Sequence, residues 1–265
     1  MKKFFIQIFF IVFFISRISA SGIQLIASLP IQCDFFSVDN LGNIYAVKND
    51  NLIKYDAQGI QQKTFTNKIS GRITSIDVSN PFKIIVFYKD FSQIIFLENT
   101  LSISGSPIQL ASLDLEQATL ACSSYNNGFW VYESQLSQLI RYDEGLSVSQ
   151  KSGNIMQLSG NEINPNFLAE ENNSIYLWDK KVGILVFDRF GTYLKTLYFK
   201  DISCFQIFNN KLFYFKENST LKIYNLQTFE ESELKFADYD ILSFRIIGGK
   251  MFVQKKDGID VYLLK

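Results

Sequence analysis

A strand pattern that recurs about every 40 residues constrains this chain more than any other feature. Six short apolar segments have centres spaced by 37 to 46 residues, and a second apolar marker follows each centre by 10 to 12 residues. The centres are Tyr45, Ile85, Trp130, Tyr176, Phe213 and Phe252, and the second markers are Tyr55, Leu97, Tyr142, Phe187, Tyr224 and Tyr262. A period near 40 residues with several strands per period is typical of β-propeller blades.

The residues beside these strands are typical of tight hairpin turns. Asn-Asn or Gly-Gly pairs precede four of the centres, and an acidic residue follows four of the second markers. Asn, Asp and Gly tolerate the positive φ that short hairpin turns need. The pairs are Asn126–Asn127, Asn172–Asn173, Asn209–Asn210 and Gly248–Gly249, and the acids are Asp56, Glu98, Asp143 and Asp188. We assign both groups to turns rather than to metal or glycan sites.

The two ends of the sequence complement each other within this repeat. The sixth unit stops after its second marker and so lacks an outer strand, whereas residues 22–29 form a spare apolar strand. Pairing the two would close a ring and cover two sheet edges. We therefore predict an all-β fold: a six-bladed β-propeller of four-stranded blades, closed by an N-terminal strand that completes the last blade. It forms a single domain over residues 21–265, with no helical periodicity of useful length.

Two segments carry a resemblance to a known superfamily. Residues 36–45, with Asp39 and Gly42, and residues 186–191, with Asp188 and Gly191, resemble the Asp-rich blades of the NHL-like and TolB-like six-bladed propellers. The resemblance covers residues 22–265. It implies architecture only, because that superfamily includes scaffolds, lactonases, lyases and receptor modules.

The first twenty residues predict export. Lys2 and Lys3 precede an apolar stretch of about 13 residues and a small-residue exit at Ser19 and Ala20, the three parts of a signal peptide. Arg17 ends the apolar run short of the roughly 20 residues that a membrane anchor needs. We predict a signal peptide over residues 1–20 and an exported protein, periplasmic or at the cell surface or outside it, with no transmembrane span after cleavage. Association with a membrane complex stays open.

Composition excludes several classes of chemistry. The chain has no histidine, which removes Ser-His-Asp and Cys-His nucleophiles and the His-ligated zinc of the superfamily's lyases. The 26 basic and 26 acidic residues balance, so no basic field attracts nucleic acid. Cys33, Cys122 and Cys204 fall in blades one, three and five, and we expect thiols rather than a disulfide. Triplets at 172–174 and 218–220 match the glycosylation pattern, which matters only in a eukaryotic secretory host.

Candidate binding residues fall in two places. Arg245 and Glu170 are polar members of inner strands and are expected to face the central channel. Met156 and Leu158 lie in the longest connection between blades, residues 153–165, which either carries function or covers the channel.

We predict a non-catalytic protein-binding scaffold, an accessory subunit of an envelope or cell-surface assembly, with no cofactor, no metal and no catalytic residues. One alternative is a calcium-dependent lactonase or esterase, whose oxygen ligands would be recruited from Asp34, Asp77 and Glu170. The other is a carbohydrate or small-ligand receptor at the channel mouth. The sequence favours a binding protein over an enzyme.

Overall fold

A computed structural model describes residues 22–264 apart from 201, 203, 217–219 and 237–239. The chain forms six antiparallel sheets of four strands each, the blades of a β-propeller. The predicted fold class is therefore confirmed. The predicted signal peptide and most of the 218–220 triplet lie outside the described residues.

Each blade is built from four strands in a simple up-and-down order, counted from the channel outward. Strands β1 to β13 are β1 (Ile23–Leu29), β2 (Phe35–Val38), β3 (Ile44–Lys48), β4 (Asn51–Tyr55), β5 (Gln61–Thr66), β6 (Ser75–Asp77), β7 (Ile84–Tyr88), β8 (Gln93–Leu97), β9 (Ile108–Gln109), β10 (Ala118–Ser123), β11 (Phe129–Glu133), β12 (Gln138–Tyr142) and β13 (Val148–Lys151). Strands β14 to β24 are β14 (Phe167–Glu171), β15 (Ser174–Asp179), β16 (Gly183–Asp188), β17 (Tyr193–Leu197), β18 (Phe205–Phe208), β19 (Lys211–Lys216), β20 (Thr220–Asn225), β21 (Glu231–Lys235), β22 (Ser243–Ile247), β23 (Lys250–Gln254) and β24 (Ile259–Leu264). Within the described ranges one α-helix, α1 (Ile155–Ser159), interrupts the repeat between blades three and four, and 3-10 turns occupy Lys89–Phe91 and Leu110–Leu113.

The last blade combines the two ends of the chain. Its strand order is β1-β24-β23-β22, so β1 is the outer strand of a sheet whose other members come from the C-terminal segment. Antiparallel pairs run from Ile23 opposite Leu264 to Leu29 opposite Ile259, with one bulge between Leu25 and Ala27. This pairing covers both edges that the sequence alone leaves open.

The hairpin turns adopt the conformation that their residues predict. Asn126, Asn127, Asn172 and Asn173 all have φ between 50° and 60°, and the pairs at 209–210 and 248–249 are also left-handed. A two-residue turn with both central residues at positive φ matches the right-handed twist of the flanking strands. The assignment of these pairs to turn chemistry is confirmed.

The acids after the second markers stabilise the next turn. One carboxylate oxygen (Oδ1) of Asp56 accepts hydrogen bonds from the backbone N–H of Gln58 and Ile60, at 3.0 and 2.9 Å. Asp188 Oδ1 does the same for Phe190 and Thr192, both at 2.9 Å. These acids fix hairpins at the outer strands, so they are not candidates for chemistry.

The same turn in blade three lacks a glycine at its left-handed position. Leu146 stands at φ 63° where Gly191 stands at φ 85°, and its side chain is 38% exposed. We expect Leu146→Gly to stabilise the protein by about 0.5–1 kcal/mol, because glycine avoids the left-handed penalty of a larger residue. Chemical denaturation followed by tryptophan fluorescence measures the change. Leu146→Ala is the matched control, since it removes side chain but keeps the strain; an equal gain from alanine would contradict this account.

The hydrophobic core lies between neighbouring blades. Phe215 of β19 and Phe244 of β22 meet edge to face with ring centroids 5.2 Å apart, and both side chains are fully buried. Tyr45 and Trp130, centres of the repeat, are also fully buried. The aromatic residues at blade period are therefore core, as predicted. Cys33, Cys122 and Cys204 are thiols in three separate blades.

Candidate functional site

The six inner strands, β2, β6, β10, β14, β18 and β22, surround a central cavity of about 460 Å³. All six run in the same direction because every blade repeats the same path. We call the face where they begin the upper face and the face where they end the lower face. Connections between blades and loops between second and third strands lie on the upper face. The cavity is lined by polar Ser37, Asp77, Glu170, Glu171, Gln206 and Arg245 among apolar residues such as Phe167, Phe208 and Ile247.

Arg245 places a guanidinium group inside this cavity. It is the central residue of β22, and its Nη1 donates to the Phe244 carbonyl at 2.7 Å. Burial lowers its pKa, and the nearby charges of Cys204 and Asp77 oppose that shift. Within the described part of the chain, no carboxylate lies within ion-pair distance of the guanidinium. The sequence-based placement of Arg245 on the channel wall is correct.

Glu170 also lines the cavity, but one of its carboxylate oxygens accepts hydrogen bonds from the neighbouring blade. Oε2 accepts a hydrogen bond from the indole Nε1 of Trp130 at 2.8 Å and another from the Ser124 hydroxyl. Arg141 Nε donates to the same Ser124 hydroxyl at 2.8 Å. Glu170 therefore bridges blade four to blade three, a structural role that sequence reasoning did not assign to it.

Other polar residues of the inner strands form equivalent bridges. The Asp77 carboxylate accepts from the backbone N–H groups of Ser79 and Ser123, at 2.8 and 2.7 Å, which joins blade two to blade three. Both ends of the Gln206 amide pair with the backbone of Ile246, which joins blade five to blade six. Each bridge satisfies polar groups that would be costly to bury alone.

The oxygen ligands considered for calcium do not converge. Asp77 and Glu170 line the cavity, whereas Asp34 lies outside it and accepts a hydrogen bond from the Asn49 N–H at 3.1 Å. Calcium takes six to eight oxygen ligands. Among the residues that the structure describes, no group of three or more His, Cys, Asp or Glu side chains could hold a metal ion.

Above the channel lies a second cavity of about 670 Å³, which we call the mouth. Residues 162–166 form one wall, so the long connection between blades three and four borders the mouth. Lys89, Lys180 and Lys181 line it as well, and Thr74, Leu120 and Asn166 are shared with the channel below. Asp179, which is buried, anchors the wall by accepting from the Asn164 N–H at 2.6 Å.

Helix α1 displays the other two predicted binding residues. Asn154 caps it by accepting from the Gln157 N–H at 3.0 Å, and Ile155 is fully buried beneath it. Met156 and Leu158 are 44% and 43% exposed. The turn that carries Leu136, 46% exposed, adjoins the helix, because the Asn154 amide donates to the Leu136 carbonyl at 3.0 Å. We call Leu136, Met156 and Leu158 the rim patch.

The structure thus brings Arg245 and Glu170 together in the channel and puts Met156 and Leu158 on the upper rim. Two channel residues that sequence reasoning missed are Phe208 and Ile247. Each lies two positions after a recognised polar residue, Gln206 or Arg245. The period-two alternation of strands was the signal that could have identified them.

Solved structures similar to this chain include propellers of low sequence identity. The WD40 domain of Neurospora crassa Pan2 is 9% identical, with a TM-score of 0.61 over 88% of this chain and 89% of that one. Virginiamycin B lyase from Staphylococcus aureus is 12% identical, with a TM-score of 0.59 over 87% and 80%. BBS1N in complex with ARL6DN is 12% identical, with a TM-score of 0.57 over 87% and 77%.

No family model matches the chain, and no curated protein matches its sequence. At these identities the likenesses show the fold alone. The class of protein is therefore a six-bladed β-propeller, which confirms the resemblance drawn from the repeats at the level of architecture. No helix within the described residues is long and apolar enough to span a bilayer.

Proposed function

We propose that this propeller is an exported, non-catalytic scaffold that binds another protein, as an accessory subunit of an envelope or cell-surface assembly. The observation that carries the proposal is the rim patch. Three large apolar side chains are exposed on a capped helix and an adjoining turn. Exposed apolar surface held rigidly in this way is typical of protein-recognition sites.

The chemistry of the channel favours binding over catalysis. A virginiamycin B lyase in which one histidine is replaced by alanine is described as catalytically inactive, and the present chain has no histidine at all. The Asp77 carboxylate and one oxygen of Glu170 hold neighbouring blades together. A propeller of similar fold is known in a complex with a protein partner, as BBS1N with ARL6DN.

Export rests on the first twenty residues, with their basic start, apolar stretch and small-residue exit. We expect the mature protein to begin near Ser21 and to fractionate outside the cytoplasm. N-terminal sequencing of protein purified from its native cells measures this. A cytoplasmic protein that retains Met1 would contradict export while leaving protein binding open to its own test.

Affinity purification of the tagged protein from native cells tests the scaffold. We expect a stoichiometric partner, and a loss of at least tenfold in its recovery when Met156→Glu and Leu158→Glu are combined. Ile60→Glu is the matched control, because Ile60 is equally apolar, is 62% exposed and lies on the lower face. Calcium-dependent lactone or ester hydrolysis without any partner, or equal recovery with both variants, would overturn the proposal.

A further inference from the structure

We propose that the central channel binds a small zwitterion of amino-acid type, with its carboxylate on Arg245 and its ammonium group toward Asp77 and Glu170. This site is separate from the rim patch and does not depend on a protein partner. It takes a free metabolite with an apolar side chain.

The guanidinium of Arg245 is the feature that indicates a ligand site in the channel. Among the described residues, the Phe244 carbonyl is the one group that accepts a hydrogen bond from this guanidinium. Arg245 is half-buried, and no described carboxylate forms an ion pair with it, so its remaining donors are available to an anion in the channel. Arginine presents its donors as a planar fork, and a carboxylate is the group that this fork binds through two parallel hydrogen bonds.

The other charged groups of the cavity disfavour a ligand that is a simple anion. Asp77, Glu170 and Glu171 line the same cavity as Arg245, and Asp77 is close enough for its charge to act on the guanidinium. A ligand with a carboxylate alone would meet like charges, and an amine alone would leave Arg245 unpaired. A zwitterion adds no net charge, and its carboxylate and ammonium groups can pair with the guanidinium and with the cavity carboxylates.

These charged residues lie on different walls of the channel. Arg245 is opposite the repeat centre Phe252 in its blade and Asp77 is opposite the repeat centre Ile85 in its own, so the two lie at the same level. Glu170, opposite Ile175, lies one residue nearer the lower face, so a zwitterion would lie across the channel between them. The Oε1 atom of Glu170 has no hydrogen bond to a described residue, which leaves it available to an ammonium group.

Size and access agree with this ligand. The cavity of about 460 Å³ is within the range of small-molecule sites and is walled by Phe167, Phe208 and Ile247, which suit an apolar side chain. The mouth shares Thr74, Leu120 and Asn166 with the channel and carries Lys89, Lys180 and Lys181. Glu162 and Asp179 also line the mouth, so it presents both signs of charge to an entering zwitterion.

Calorimetric titration of the purified protein with leucine, methionine and phenylalanine tests the site. We expect saturable 1:1 binding of at least one of them. For the best binder, the analogue without the amino group and the amine without the carboxylate should each bind at least tenfold more weakly. No heat from any of the three amino acids, or equal affinity for all three forms, would overturn the proposal.

Arg245→Met provides the matched variant, and its stability is a second readout. We expect it to bind the amino acid at least tenfold more weakly than the native protein and no better than the corresponding amine. Its melting temperature without ligand should be unchanged or raised, because the variant removes a half-buried charge that has no anionic partner among the described residues. Arg245→Lys should retain part of the affinity. A fall of several degrees in the melting temperature of Arg245→Met, with amino-acid binding unaltered, would make Arg245 a structural residue and overturn the assignment.

Discussion

Removal of residues 22–29 is expected to abolish cooperative folding of the propeller. The deletion takes away β1 (Ile23–Leu29), so the last blade keeps three strands and β24 becomes an open edge. It also removes Ala27 and Leu29, which contact the core cluster between the last blade and the first.

The size of this effect follows from what β1 supplies. The strand pairs with β24 over almost its full length, and each ladder hydrogen bond contributes about 0.5–1.5 kcal/mol. Burial of an aliphatic side chain such as Leu29 adds up to about 1.5–3 kcal/mol. The total, about 5 kcal/mol or more, is comparable with the whole stability of an ordinary domain, about 5–15 kcal/mol.

Urea unfolding followed by circular dichroism compares the deletion with the native mature chain. Leu25→Thr is the control, because Leu25 is half exposed and its substitution keeps the strand. A synthetic peptide of residues 22–29 added in trans should restore the cooperative transition. If the shortened chain unfolds at the same urea concentration as the native one, β1 is dispensable and ring closure does not stabilise this fold.

The architecture could be predicted because each blade repeats its own local signals. Tyr45 and Trp130 mark buried strands at blade period, and pairs such as Asn172–Asn173 encode turns that need positive φ. These signals act over a few residues and therefore survive in a single sequence. The strand at residues 22–29 was also predictable, because the sixth unit lacks an outer strand and this segment has the apolar pattern of one.

The contents of the channel were only partly predictable. The blade repeat identified the inner strands, and Arg245 and Glu170 were placed on the channel wall as polar members of those strands. The bond from Trp130 to Glu170 joins residues 40 positions apart in different blades, and it depends on how two twisted sheets are set side by side. A single sequence does not encode that register in any local pattern. The rim patch required α1, a helix of five residues that is too short to show periodicity.

Breaking the bridge between Glu170 and Trp130 is the second change with a large expected effect. Glu170→Ala leaves the buried indole N–H and the Ser124 hydroxyl without their acceptor, and it removes the carboxylate linked through Ser124 to buried Arg141. We expect a loss of about 2–3 kcal/mol, because a hydrogen bond to a charged group contributes about 1.5–3 kcal/mol. For a chain of this size the melting temperature should fall by roughly 5–10 °C.

A double-mutant cycle with Trp130→Phe separates this bridge from a role in ligand binding. Phenylalanine keeps most of the ring at a fully buried position but removes the donor. We expect the two single changes to be non-additive by about 1–2 kcal/mol, since residues that share a hydrogen bond are coupled. Glu170→Gln, which keeps the acceptor and loses the charge, should cost less than the alanine variant. Additive effects would mean that the indole does not use this carboxylate, and Glu170 would then be stabilised by other contacts.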